Sequence, residues 1–263
     1  MLKRLVLIAL LLISVRAQAV EFTDVYYDPA ESGWGVFLVQ SDTTQFLAFF
    51  IYGPDGKPLW YVAILANDGT GNYTGTLFAT TGTYFPNPWQ GNNVTAAGTA
   101  SFNPIDAYHA TLTYTVNGVG TVTKTVQRQT LTAYALGGNY TGSAAGTINS
   151  CVNPNQNEPS YRSRYLLTVT QNGDQSATLV FAFVDVNHNG LVCTMSGPLT
   201  HLGRLYQLTG QSTCTVNGQP AGAAQTVTID SLEGGSRVIR GHFTSISGCT
   251  ASIHFAAVLN ADN

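Results

Sequence analysis

Two carboxylates stand three residues apart in Asp28-Pro29-Ala30-Glu31. A glycosidase needs such a pair, one group to protonate the leaving oxygen and one to attack or to activate water. The same residues suit a proline-containing turn with Glu31 in solvent, and the turn is the expectation. Asp185-Val186-Asn187-His188-Asn189-Gly190 has the front of a calcium loop, with Asp185, Asn187 and Asn189 as oxygen donors. Calcium takes about six to eight oxygens, and a carboxylate normally closes the loop at a position held here by Ser196. An Asn-Gly hairpin turn fits those residues better. His242 and His254 fall opposite each other across a three-residue turn at 247–249, but two imidazoles without a third ligand hold a metal only weakly. Gly-x-Ser-x-Gly is absent, so no nucleophile is set on a strand-to-helix elbow. The residues assign no catalytic group, no metal site and no cofactor.

Aromatic side chains offer a different chemistry. Trp34, Trp60, Tyr61 and Trp89, with Glu31 nearby, form the candidate ligand-binding set, because flat rings stack on sugars and apolar rings. A hairpin turn at Asp42-Thr43 puts Trp34, Val36, Leu38, Leu47, Phe49 and Ile51 on one face. The other face carries Phe37, Val39, Phe46, Phe50 and Tyr52, so it is apolar too. The run Leu59 to Leu65 is likewise apolar on both sides, whereas a half-solvated sheet alternates. The outward face therefore needs a cover. Packing against the second half of the chain is the first expectation, and an aromatic binding surface or barrel pocket is the alternative.

The elements that must position these residues are strands. Asn-Gly and Asp-Gly turn signals recur at the spacing of antiparallel sandwiches and barrels, as at Asp55-Gly56, Asn117-Gly118, Asn172-Gly173 and Asn217-Gly218. Between them lie short runs rich in Val, Thr, Tyr, Phe and Ile, and no window has a helical period. All three tryptophans lie in the first half and all four cysteines in the second. Ala135-Leu136-Gly137-Gly138 is a plausible joint, which gives 1–19 as a leader, 20–134 as a Trp-containing β domain and 135–263 as a disulfide-stapled β domain. Gly71-Asn72-Tyr73-Thr74-Gly75 returns as Gly138-Asn139-Tyr140-Thr141-Gly142, a short match in a chain rich in these residues.

The second half divides into eight strands, 140–150, 161–171, 175–185, 191–201, 204–215, 223–232, 237–247 and 250–259. Eight strands in a meander close into a barrel just filled by side chains. A turn at Gly203-Arg204 puts Cys193 opposite Cys214, with Met195, Leu199 and Leu208 on the same face. Cys151 ends the first strand and Cys249 opens the last, so barrel closure pairs them across the seam. Four cysteines permit three connectivities; the register and barrel closure favour this one, and the sequence leaves the other two open. The expected fold is all-β, two small antiparallel meander β-barrels in tandem, each calycin- or avidin-like in size.

Composition sets the compartment. Lys3 and Arg4 precede an apolar run from Leu5 to Val15, and Ala17-Gln18-Ala19 is a cleavage site, so the leader reads as a signal peptide cut after Ala19. Removing it leaves 8 basic and 14 acidic residues, a net charge of −6 that repels phosphate backbones and makes nucleic acid a poor partner. No later segment has the length and apolarity of a transmembrane helix. The mature chain is expected to be secreted or periplasmic, where disulfides persist.

Asp28-Pro29-Ala30-Glu31-Ser32-Gly33-Trp34-Gly35, followed by Gly53-Pro54-Asp55-Gly56-Lys57-Pro58-Leu59-Trp60-Tyr61, resembles a group of secreted proteins of Gram-negative bacteria. Their shared pattern is N-P-x-E-x-G-W-G, a β-hairpin, then G-x-P-x-W-Y, with Asp28 here in place of the common Asn. The resemblance covers residues 26–66 well and implies an exported β protein without bringing an activity. The expected function is a non-catalytic binding protein for a small molecule, glycan or protein. The alternative is a structural or interaction protein of the envelope, a subunit, inhibitor or adhesin domain.

Overall fold

Tight turns between alternating strands set the registers from which the architecture grows. In the computed structural model, which describes residues 21–246 and 249–261, Asp42 takes a left-handed φ of 53°. The turn it opens joins β2 (Gly35–Ser41) to β3 (Thr44–Tyr52), with Val36 opposite Phe49 and Leu38 opposite Leu47. The chain continues as a meander through β4 (Pro58–Asn67), β5 (Tyr73–Gly82), β6 (Asn92–Pro104), β7 (His109–Val116) and β8 (Gly120–Arg128). Strand β8 then pairs with the short β1 (Asp24–Tyr27), Tyr26 opposite Arg128, and the first barrel is closed. The expected signal peptide, 1–19, lies outside the described residues.

Alternate residues fill the interior, among them Val36, Leu38, Leu47, Phe49, Leu65, Leu77, Phe102 and Leu112, all buried. Burying each Leu or Phe contributes about 1.5–3 kcal/mol. On the outside the barrel has two characters. Strands β7 and β8 alternate strictly, and their outer rows are threonine, with Thr113 opposite Thr123 and Thr115 opposite Thr121 at hydroxyl distances of 3.1 and 2.8 Å. Strands β2 to β4 instead show apolar side chains on both faces.

The second half repeats the architecture. Its strands are β9 (Gly138–Asn149), β10 (Glu158–Asn172), β11 (Ser176–Phe183), β12 (Leu191–Leu202), β13 (Leu205–Val216), the two-residue β14 (Gln219–Pro220), β15 (Gln225–Gly234), β16 (Val238–Ile246) and β17 (Cys249–Leu259). Pairing of β12 with β13 and of β17 with β9 joins eight of them into a ring, with β14 a flap beside β13. All eight expected strands are present within a few residues of their expected ends. Cys193 pairs with Cys214 inside the β12–β13 ladder, and Cys151 with Cys249 beside the β9–β17 seam, as the register requires. The repeated pentapeptide opens the fifth strand of one barrel and the first strand of the other, so it does not align when the barrels are matched in order.

The barrels meet end to end through a charged junction. The Gly203-Arg204 turn drops onto the base of the first barrel, where Gly203 N–H donates to Thr130 Oγ1 at 3.1 Å and Arg204 N–H to Asp24 Oδ2 at 3.2 Å. Gly203 has φ of 66°, and a Cβ there would sit 2.4 Å from Asp24 Oδ2 and 2.5 Å from Arg128 Cβ, so both conformation and space require glycine. Arg128 is fully buried beneath it, with Nη1 3.0 Å from Asp24 and further donations to the Ala107, Thr23 and Glu21 carbonyls. Arg204 lies between Glu21 and Glu233.

This geometry corrects one expectation. The second barrel packs on the end of the first and does not cover the outer face of β2 to β4. Phe37, Val39, Phe46, Phe50, Tyr52, Trp60 and Ile64 stay exposed. Apolar side chains on a face imply a need for cover, but they do not specify what supplies it.

Candidate functional site

At the end of the first barrel far from the junction, the β1–β2 connection folds back as a lid. Asp28 forms the turn, its carboxylate accepting from Ala30 N–H at 2.9 Å and its carbonyl from Glu31 N–H at 3.0 Å. Glu31 then accepts from Trp34 Nε1 at 3.2 Å and pairs with the Lys124 ammonium, and Tyr52 donates to the Gly33 carbonyl at 2.8 Å. The hydrogen bond from Lys124 holds the Glu31 carboxyl below its ordinary range, with the Lys124 charge and the Trp34 indole acting the same way. Trp34 packs half-buried on the barrel core. A carboxylate stabilised as an anion is a poor proton donor, so this pair locks the turn in place.

The four expected aromatic residues are divided among three places. Trp34 belongs to the lid, and Tyr61 points inward against the core. Trp60 points outward beside its cross-strand partner Phe50, and they are 55% and 48% exposed. Phe37 meets Phe50 edge-to-face at 5.2 Å, and Phe46 faces Ile64 lower on the same surface. Trp89 is 71% exposed on the β5–β6 loop with Tyr84 and Phe85, whose rings meet at 5.1 Å. Only Trp60 therefore sits on the continuous outer face, in company with Phe37, Phe50 and Tyr52.

The second barrel was expected to be filled, and it is not. At its end away from the junction a cavity of about 250 Å³ opens between the strands. Cys193, Cys214, Met195 and Phe181 line its depth, and Tyr161, Phe183 and His188 its mouth. Small side chains such as Ala144 leave space that the large rings from the other strands do not fill. Tyr161 and His188 stand 5.5 Å apart, Phe183 and His188 5.8 Å, and Tyr165 meets Phe183 edge-on at 6.2 Å. Burial raises the Tyr161 phenol above its ordinary range. Glu158, at the start of β10 and partly exposed, and the buried Ser212 are among the polar groups that line the cavity.

The calcium-like loop is closed by its own hydrogen bonds. Asp185 accepts from Arg164, Asn187 and His188 N–H, and its carboxylate meets His188 Nδ1 at 2.8 Å. Burial works against its ionisation, but these donors outweigh it and hold the carboxyl below the usual range. Asn187 and Asn189 lie in that loop with Gly190 at φ of 80°. His242 and His254 stack at 4.2 Å on the outer face, with Asp230 3.0 Å from His242 Nδ1. Burial and the neighbouring His242 lower the His254 imidazole below its ordinary range. Among the described residues no three His, Cys, Asp or Glu side chains are gathered as a metal site.

Sequence reasoning passed over Lys124, Glu158, Phe183 and His188. Glu158 follows Pro154 and Asn157 in a polar stretch that resembles any surface loop, and its place at the cavity rim depends on barrel closure. Neither family models nor curated proteins nor solved structures yield a match to this chain.

Proposed function

We propose that this is an exported, non-catalytic binding protein that holds its ligand against the aromatic outer face of the first barrel. The observation that carries this reading is the exposure of the Phe50–Trp60 cross-strand pair, with Phe37 and Tyr52 alongside, on a face that the second barrel leaves open. Rings presented side by side on a rigid sheet stack on the flat faces of sugar rings or of apolar ring systems without any induced change. Contiguous apolar patches on soluble monomers are commonly functional. Export accords with the two disulfides and with the lack of any helix, among the described residues, long and apolar enough to cross a membrane. The resemblance to secreted Gram-negative proteins, carried by the lid and by the Trp60 strand, supports the same compartment.

A second reading draws on the lower half of the face. Val39, Phe46 and Ile64 are apolar without a polar handle, which suits the surface of an envelope partner better than a sugar. Calorimetry of the mature protein with neutral oligosaccharides, repeated on Phe50→Ser/Trp60→Ser, separates the two. Saccharide binding lost in the variant supports the first reading. Absence of saccharide binding, with association of the protein that Phe46→Ser/Ile64→Ser removes, supports the second. Mass spectrometry of the exported chain should find Val20 at its N-terminus.

A further inference from the structure

We infer that the cavity of the second barrel is a separate binding site for a small organic amine with an apolar body. Its volume, about 250 Å³, lies just below the usual range of small-molecule pockets, roughly 300–1,000 Å³. The walls are apolar and aromatic, built from Phe181, Phe183, Tyr165, Met195 and the Cys193–Cys214 disulfide. Such a lining takes an aromatic or branched aliphatic group of modest size and excludes a sugar.

Charge at the rim selects the other end of the ligand. Among the described residues no lysine or arginine lines the cavity. His188 Nδ1 is engaged by the Asp185 carboxylate at 2.8 Å, so its ring is held as a fixed wall of the mouth. Glu158 has no ion pair and no hydrogen-bond donor among the described residues, and it is only partly exposed. A carboxylate left unpaired beside the rings of Tyr161 and Phe183 is the combination that stabilises an ammonium group, by direct charge and by the negative faces of the two rings. Ser212 is buried, and among the described residues its hydroxyl has the Cys214 sulfur, at 4.0 Å, as its hydrogen-bond partner, which leaves it able to accept a second hydrogen bond from the ligand.

The barrel architecture explains why the site can be open. Ligand entry is at the end away from the junction, so the charged contacts that join the barrels need not move. The site also stands apart from the outer face of the first barrel, and either can fail without the other.

The test is calorimetry on the mature, disulfide-intact protein with phenethylamine, its neutral isostere 2-phenylethanol and the anion phenylacetate. The amine should bind roughly tenfold or more tightly than the alcohol, and the anion more weakly than either. Glu158→Gln, which removes no ion pair or hydrogen bond among the described residues, should bring the amine down to the level of the alcohol. Met195→Trp, filling the cavity, should abolish binding of both, with circular dichroism showing that the fold is kept. Amine and alcohol binding equally, or amine affinity unchanged in Glu158→Gln, would overturn the proposal. So would a lack of binding by phenethylamine, tyramine and benzyltrimethylammonium at millimolar concentration.

Discussion

The Tyr108 hydroxyl, at the base of the first barrel, accepts a hydrogen bond from the Ser231 N–H of the second at 2.9 Å. The same hydroxyl donates to the Tyr206 carbonyl at 3.2 Å. Ser231 adopts φ of 49° at a register shift in the β15–β16 ladder, so its N–H is turned out of the sheet and offered to Tyr108. One side chain therefore satisfies a donor and an acceptor that the ladder leaves over. Tyr108→Phe should destabilise the protein by about 1–3 kcal/mol, because both backbone groups lose their partner in a buried place. Urea unfolding measures this, and a change below a few tenths would show that water replaces the hydroxyl.

Arg128 is more deeply committed. Its side chain is fully buried with Asp24 nearly so, and three carbonyls share its remaining donors. Removing one partner of such a pair strands the other, at a cost of about 3–5 kcal/mol. Arg128→Met should therefore lower stability by that amount. Because the pair is shielded from solvent, the loss should vary little between low and high salt, unlike that of a surface pair. Equilibrium unfolding at two ionic strengths tests both points.

The two disulfides should contribute unequally. Cys151–Cys249 spans 98 residues and Cys193–Cys214 spans 21. By loop entropy, the seam bridge contributes about 4–5 kcal/mol and the hairpin bridge about 3. Cys151→Ser/Cys249→Ser should thus melt at a lower temperature than Cys193→Ser/Cys214→Ser, which differential scanning calorimetry would resolve. The reverse order would mean that packing of the Cys193–Cys214 sulfurs against the cavity outweighs chain entropy.

The second barrel was legible in the sequence because a two-residue turn fixes every partner across its hairpin. Once Gly203-Arg204 is the turn, Cys193 must face Cys214 and Leu199 must face Leu208. Which residues of β2 and β3 share a face was legible for the same reason, although both faces are apolar and the pattern does not say which one points inward. The junction was not, since Tyr108 and Tyr206 are 98 residues apart and neither lies in a pattern that names the other. The lid pair Glu31–Lys124 spans 93 residues and is hidden in the same way. The cavity was hidden for another reason. Strand count fixes a barrel's width, but whether side chains fill it depends on the sizes brought together from all eight strands.

Glu31 gives the lid a pH dependence. Its carboxyl is held down chiefly by the Lys124 hydrogen bond, so the folded value lies below the unfolded one of about 4.3. The stabilisation is then fully present above the unfolded value and is lost as the pH falls through the folded one. Protonation frees the Trp34 indole from its acceptor. The fluorescence difference between the protein and Trp34→Phe should change with a midpoint below the ordinary glutamate range. In Lys124→Met the midpoint should move up toward that range, and acrylamide should quench Trp34 more strongly.

The outer face of β2 to β4 separates structural from functional use of apolar side chains. Phe46 and Ile64 are cross-strand partners, 44% and 55% exposed, whereas Leu47, the next residue after Phe46, points to the opposite face and is fully buried. Half-exposed side chains return only part of their transfer free energy on folding, so Phe46→Ser/Ile64→Ser should cost about 1–2 kcal/mol in all. Leu47→Ala, which opens a cavity in the packed interior, should cost about 2–5 kcal/mol by itself. The serine pair should also reduce binding of a hydrophobic dye and any concentration-dependent association, because its side chains are the ones in contact with water. Comparing the variants by urea unfolding and sedimentation velocity decides the matter. A serine pair as costly as Leu47→Ala would mean that the face supports the barrel, while a small cost with lost dye binding assigns it to a partner outside the chain.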